Sequence, residues 1–241
     1  MKKNLVFTSA GDVTEFYKLW FDEHRNYDIY IYYYGNDNSN KYIEYCDYYK
    51  KEKGSKFQNF YKLWNDNEQK FIRDYERILI IDDDIIMSTD DINILFEYSE
   101  YYNLWILQPS FDNINDNCII SHPITEKNNY YIFRYTNFIE VNTMLFSNYA
   151  IKKCMEIYDP ILVGFGIDWL FLWYLGKDKK KYAIIDSISC VNPKNKNTDK
   201  REIEKLQSNE TRLYNWNYIR KKYNIDLWEH KNYSGIRLKN M

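Results

Sequence analysis

The feature that most constrains this chain is a repeating order: short apolar runs, each closed by small or acidic residues and followed by an amphipathic stretch. "NLVFTSAGD" (residues 4–12) reads as a buried strand ending in small residues. "VTEFYKLWFDEH" follows with Phe16, Leu19 and Trp20 at helical spacing, capped by Thr14 or Asp12. "YDIYIYYYG" is a second strand closed by Gly35, "RILIID" a third, and "DDINILFEYSEYY" a helix with Ile92, Leu95 and Phe96 on one face. "LWILQPS" is a fourth strand, halted by Pro109, which has no N–H to give to a ladder. Strands and helices alternating in this way predict an α/β fold, a mostly parallel sheet covered on both faces by helices.

The remaining segments extend that pattern. Residues 38–75 are charged and aromatic and read as helical in pieces around Gly54; residues 111–129 are polar and read as loop. "YIFRYTNFIEVNTMLFSN" is strand-like and antiparallel, alternating through Phe138, Glu140 and Asn142. "YAIKKCMEIYDP" is a helix stopped by Pro160, and "LVGFGIDWLFLWYLG" a glycine-bearing turn entering an apolar helix. "YAIIDSISCVNP" is a last strand and "DKREIEKLQSNETRLYNWNYIRKKY" a long charged helix. No repeat or linker divides the 241 residues, so one domain is expected.

Composition removes several classes of function. A net charge of -2 provides no field to draw the chain to nucleic acid, and 45% hydrophobic residues exclude wholesale disorder. Four scattered cysteines, Cys46, Cys118, Cys154 and Cys190, form no C-x-x-C pair, which fits a reducing compartment without a zinc or disulfide framework. The first apolar run reaches Asp12 too early for a signal peptide, and no run approaches the roughly 20 apolar residues of a membrane span. A cytoplasmic protein is therefore expected. The 26 tyrosines admit two readings, a coding bias or rings that stack on a base or sugar in a cleft.

Two sites carry chemistry. Asp82-Asp83-Asp84 follows "ILII" directly, and three adjacent carboxylates beside an apolar run repel one another unless a cation is near. At the carboxyl end of a strand in an open α/β sheet, where ligands bind, they suit a hard divalent cation that also grips a diphosphate. The plainer reading has one of them capping the next helix, a task that Ser88, Thr89 or Asp90 performs equally well. In "GFGIDW", Gly164 and Gly166 permit a tight turn and the close approach of a ligand. Asp168 then opens an apolar helix, as a cap or as a reactive carboxylate whose pKa the helix dipole lowers.

"RILIIDDDI" resembles the Asp-x-Asp strand end of glycosyltransferases with the GT-A fold, which bind a nucleotide-sugar through Mn²⁺ or Mg²⁺. "NLVFTSAGD", "YDIYIYYYG", "KGSKFQNF", "IIDDDI", "QPSF", "YTNFIEVN", "GFGIDW" and "IIDSISCVNP" also occur in the order of an uncharacterised glycosyltransferase-like family, over residues 4–193. The resemblance implies a GT-A-like (Rossmann-like) mixed sheet. Residues 1–110 would form a nucleotide-sugar-binding half, 111–200 an acceptor and catalytic half, and 201–241 a C-terminal helical segment. It implies that Asp84 ligates the metal and that Asp82 reaches ribose or a metal-bound water, with Asp83 at the variable position of the nucleotide site. Thr8, Ser9 and Ala10, with Tyr33 or Tyr34, would grip base and ribose, and Lys53 or Lys56 the diphosphate. Asp168 would be the general base of an inverting enzyme. Glu140 and Asn142, sharing one strand face, and Trp169 would line the acceptor pocket, with Asn137 and Arg134 near its rim.

One position departs from the pattern: Asn192 stands where many such enzymes place a metal-ligating His, so Asn192, water or Asp186 would complete the shell. The donor would be a UDP- or GDP-sugar and the acceptor a glycan, lipid or protein. A nucleotidyltransferase on the same fold, or a catalytically silent nucleotide- or sugar-binding module, are the alternatives. "ILIIDDDIIM" also resembles the nucleophile strand of haloacid-dehalogenase-like phosphatases, but lacks the Gly-Thr that follows it there.

Overall fold

The computed structural model describes residues 1–14, 16–37, 39–113, 116–194 and 202–238. Nine strands form one sheet: β1 (Asn4–Ala10), β2 (Tyr27–Tyr33), β3 (Tyr48–Lys51), β4 (Arg77–Ile81), β5 (Ile106–Phe111), β6 (Tyr131–Thr136), β7 (Thr143–Ser147), β8 (Tyr182–Cys190) and β9 (Asn232–Arg237). Their order across the sheet is β3-β2-β1-β4-β7-β5-β8-β6-β9. Seven strands point one way, and β7 and β6 are reversed. Because each reversed strand sits between two others, four of the eight pairings are antiparallel. The sheet is thus mixed, as expected, while "mostly parallel" describes strand direction and not pairing.

The helices are α1 (Phe16–Leu19), α2 (Lys56–Asn65), α3 (Thr89–Tyr101), α4 (Asn148–Ile157), α5 (Ile167–Leu175), α6 (Glu202–Leu206) and α7 (Asn209–Lys222). Alternate strand residues feed two separate cores, the period-2 geometry of a pleated sheet. Leu5, Phe7, Ile78, Ile80, Met144 and Phe146 meet α2, α4 and α5 on one face. Val6, Ile29, Ile31, Leu79, Ile81 and Leu145 meet α1 and α3 on the other. Most of the tyrosines in β2 belong to these cores: Tyr27, Tyr32 and Tyr33 are completely buried.

Several local expectations are corrected. α1 is one turn long, since the Thr89 hydroxyl takes the carbonyl of Leu19 (2.9 Å) and ends it. β3 lies in the stretch read as helical pieces. β5 runs through Pro109, and its register with β8 shifts between Pro109 and Ser110, a bulge that tolerates the missing N–H. The long C-terminal helix is two, because the Ser208 side chain accepts from Thr211 N–H and caps α7 afresh. The segment 201–241 is not wholly helical either: β9 returns to the sheet edge.

The most consequential correction concerns "YIFRYTNFIEVNTMLFSN", which is two strands and not one. β6 ends beside Tyr182, at the amino edge of β8, whereas β7 starts beside Ile81, at the carboxyl edge of β4. Residues 137–142 must therefore climb back across the sheet. At about 3.3 Å per extended residue, six residues suffice. Glu140 and Asn142 lie on this crossing, not in a strand.

Candidate active site

Strand order reverses at β1: the chain goes to one side through β2 and β3, then returns to the other with β4. The crevice outside the carboxyl ends of β1 and β4 is the topological switch point, where open α/β sheets take ligands. Both "TSAG" and Asp82-Asp83-Asp84 end there.

Each described acid of the triplet has a different environment. Asp83 is a clip between the two strand ends: its carboxylate accepts Gly11 N–H (2.9 Å), and its carbonyl accepts the Thr14 hydroxyl. Part of its surface remains in solvent, yet burial of the carboxyl, reinforced by Asp84 and Asp82, pushes its pKa up to about 8. Asp82 accepts Lys56 Nζ at 2.8 Å, and its own N–H donates to the Asn142 carbonyl (3.0 Å). Lys56 opens α2 and also donates to the carbonyls of Val141 and Asn142, both at 2.9 Å.

The other proposed nucleotide residues are sorted by depth. Thr8, Ala10 and Tyr33 are fully buried, and the Tyr33 hydroxyl donates to Asp12, so these side chains are core and do not line the crevice. Ser9 is nearly buried, with its hydroxyl accepting from Asn59 (3.0 Å), which also donates to the Gly54 carbonyl (3.1 Å). Tyr34 is half-buried and stands over Gly11, where a Cβ would meet its hydroxyl at 2.8 Å. Lys53 is exposed, 3.1 Å from the Asn36 side chain.

The acceptor-side residues converge on the same edge. Glu140 is buried, accepts from Asn142 Nδ2 (2.8 Å) and Thr125 Oγ1 (3.3 Å), and gives its own N–H to Gln108 Oε1 (2.6 Å). Burial, helped by the nearby Asp168, pushes its pKa up to about 7. Asp168 is buried at the start of α5, where its carboxylate accepts the Trp169 N–H (2.9 Å) and the Val141 N–H also favours its ionised form. Burial outweighs these donors and lifts its pKa to about 7. That reverses the expected lowering by the helix dipole: removal from water costs the carboxylate more than the dipole returns.

Trp169 packs against Phe138, Trp228 and His230, so the segment after α7 walls the start of α5. Asn137 pins that wall, donating to the Glu229 carbonyl (2.9 Å) and accepting Lys231 N–H (2.7 Å). Arg134 is buried away from any rim, in a bidentate pair with Asp186 (2.7 and 2.9 Å). Asp186 is thereby committed to Arg134 and not to a metal shell. Asn192 is brought beside the loop after the triplet by reciprocal bonds between Ile86 and Val191 (2.9 and 3.0 Å).

The glycines of "GFGIDW" serve packing within the protein rather than a ligand. Gly166 has φ +79°, and a Cβ there would lie 2.1 Å from the Trp216 ring of α7. α7 thus clamps the turn that presents Asp168. Asn59 and Gln108 were missed as site residues. Their signal was a polar residue among apolar ones: Asn59 between Phe57 and Phe60 on α2, and Gln108 inside "ILQPSF".

Among the described residues, no cluster of three His, Cys, Asp or Glu side chains is arranged to hold a metal ion by itself. The donor set does fit a hard cation carried by a diphosphate. Asp82, Asp83 and Asp84 are adjacent acids at one strand end, and Mg²⁺-type ions bind through one or two carboxylates plus substrate phosphates. Hollows lie between the end of α5 and Trp228, and beside Tyr130 and Arg237.

The mixed α/β fold of this chain is shared by solved structures. The S. aureus TarS structure aligns with 92% of this chain at 12% identity and a TM-score of 0.56. TarS 1-349 in complex with UDP-GlcNAc aligns with 92% of this chain and 73% of its own at 10% identity (TM-score 0.54). The complex of TarS 1-349 with UDP aligns with 79% of this chain and 59% of its own at 12% identity (TM-score 0.52). This chain spans 44% of the longer TarS structure. At such identities the likeness shows the fold. No protein-family model and no curated protein matches the sequence. No described helix is long and apolar enough to cross a membrane.

Proposed function

We propose that the protein is a glycosyltransferase that moves a sugar from a UDP-sugar to a hydroxyl acceptor with inversion. The observation that carries this reading is the meeting, on one sheet edge, of Asp82–Asp84 with the buried Glu140 and Asp168. The fold shared with structures that hold UDP and UDP-GlcNAc supports a UDP-sugar over other donors. In this reading residues 1–110 form the donor half and 111–200 the acceptor half. Ser9 and Tyr34 stand nearest the nucleoside, and Lys53 nearest the diphosphate.

Asp168, raised to about 7, is poised to accept the proton of an acceptor hydroxyl as that oxygen attacks the anomeric carbon. The C–O bond to the nucleoside diphosphate breaks as the new glycosidic bond forms. A Mn²⁺ or Mg²⁺ ion held by Asp84, with Asp82 and Asn192 beside it, would neutralise the charge growing on the departing diphosphate. Glu140, Asn142 and Trp169 shape the acceptor side. Buried and hydrogen-bonded, Glu140 fixes the crossing segment next to Asp168.

A thermal-shift screen of nucleoside diphosphates and nucleotide-sugars, with and without Mn²⁺, tests the reading. A ligand that binds only the folded chain raises its apparent stability, by about 2.7 kcal/mol at a hundredfold excess over Kd. UDP and a UDP-sugar with metal should shift the melt most. If no nucleotide moves it, the donor-site reading fails. Slow hydrolysis of the UDP-sugar separates a catalyst from a silent binding module, which should show none.

A further inference from the structure

Lys56 is where the structure departs most from the diphosphate role suggested by sequence. An ammonium has three donors, and all three are used inside the protein, on Asp82 (2.8 Å), the Val141 carbonyl (2.9 Å) and the Asn142 carbonyl (2.9 Å). Its side chain is only 9% exposed. A lysine that reaches out to a phosphate needs solvent-facing donors; this one has none left to give without breaking an existing bond.

The partners give the contact a direction. β4 and β7 pair as far as Ile81 and Thr143, and the Asp82 N–H continues the ladder to Asn142. Lys56 closes the seam just beyond, joining α2 on the donor side to the crossing segment. On that segment the Val141 carbonyl accepts from Lys56, while the Val141 N–H lies on the Asp168 side and favours the ionised form of that carboxyl. One residue thus separates the lysine from the carboxylate across the crevice. The peptide units on either side of Val141 face Lys56 and Asp168.

We propose that Lys56 is a positioning residue: an internal counter-ion that orients Asp82 and, through Val141 and Asn142, sets where Asp168 stands relative to the donor side. This rests on the glycosyltransferase reading for its catalytic meaning, but the linkage is a property of the ligand-free protein and is testable there.

A double-mutant cycle separates positioning from direct phosphate contact. Lys56→Met should weaken UDP binding about tenfold in the wild-type background and less than twofold in Asp82→Asn, because its effect passes through Asp82. Lys56→Arg should recover most of the loss. An equal loss in both backgrounds would mean that Lys56 touches the diphosphate itself, and would overturn the proposal, as would no loss in either. If the wild-type protein binds no nucleotide, the glycosyltransferase reading falls, and the linkage is then read by amide hydrogen exchange on the ligand-free protein. Exchange at Val141, whose carbonyl Lys56 holds, and at Trp169, whose N–H meets Asp168, should accelerate tenfold or more in Lys56→Met and much less in Lys56→Arg or Lys56→Gln. Unchanged exchange at both sites, with the fold intact by circular dichroism, refutes it.

Discussion

Asp82 and Asp168 stand on the same sheet edge, yet the protein treats their carboxylates in opposite ways. Asp82 is about one-third exposed and lies against the Lys56 ammonium. Asp168 is buried, meets only backbone N–H groups, and has its pKa pushed up to about 7. Glu140, beside it, is raised to the same range. One side of the crevice therefore presents acid side chains, one of them paired with an ammonium, a donor set suited to a cation. The other holds carboxyls that change protonation near neutrality, as a general base requires. Two identical side chains sit in two environments because burial and counter-charge differ, not because the residues do.

The largest test of that contrast is Asp168→Asn. It should cut transfer by about 10³-fold, within the range of a lost general base, while UDP affinity changes less than about threefold. Steady-state kinetics and calorimetry on one preparation decide it; full transfer in this variant removes the base assignment. Asp84→Asn tests the other side. It should abolish the Mn²⁺ dependence of UDP binding and weaken binding with metal by about 10–100-fold, measured by thermal shift across a metal titration.

Stability should move in the reverse direction to activity. Asp168 and Glu140 have folded pKa values near 7, above their ordinary 3.8 and 4.5. Folding thus takes up protons between about pH 4 and 7, and stability from these groups is complete below about pH 4 and lost as pH rises through 7. Asp168→Asn removes the ionisation, so its melting temperature should exceed that of wild type at pH 8 by several degrees, about 2 kcal/mol, and match it near pH 4. An equal melting temperature at both pH values would show that Asp168 is not strained by burial. Gly166→Ala is the smallest test. The positive φ and the clash with Trp216 should cost about 1–2 kcal/mol in denaturant unfolding and lower kcat more than UDP affinity.

Much of the site was legible as separate stretches. Asp82–Asp84 at a strand end, and Asp168 at a helix start after a glycine turn, are local patterns, and both lie where their spacing put them. What the stretches do to one another was not legible. Tyr33 and Thr8 look like neighbours of a ligand but are buried by α1 and the residues around Tyr42. "GFG" looks like a ligand turn, but its second glycine makes room for a tryptophan fifty positions away. Lys56 looks like a phosphate anchor, and its three donors are spent on the seam between two chain segments.

By itself the sequence determined the alternation of strands and helices, the two-faced burial of each strand, and the placing of acids at strand and helix ends. Each depends on residues within one or two turns of one another. Only the tertiary structure decided that β6 and β7 run backwards, which forces residues 137–142 across the sheet and lays Val141 between Lys56 and Asp168. That juxtaposition also set the protonation of Glu140 and Asp168, because a carboxyl's pKa depends on how much water and which charges surround it, and those come from segments distant in the chain.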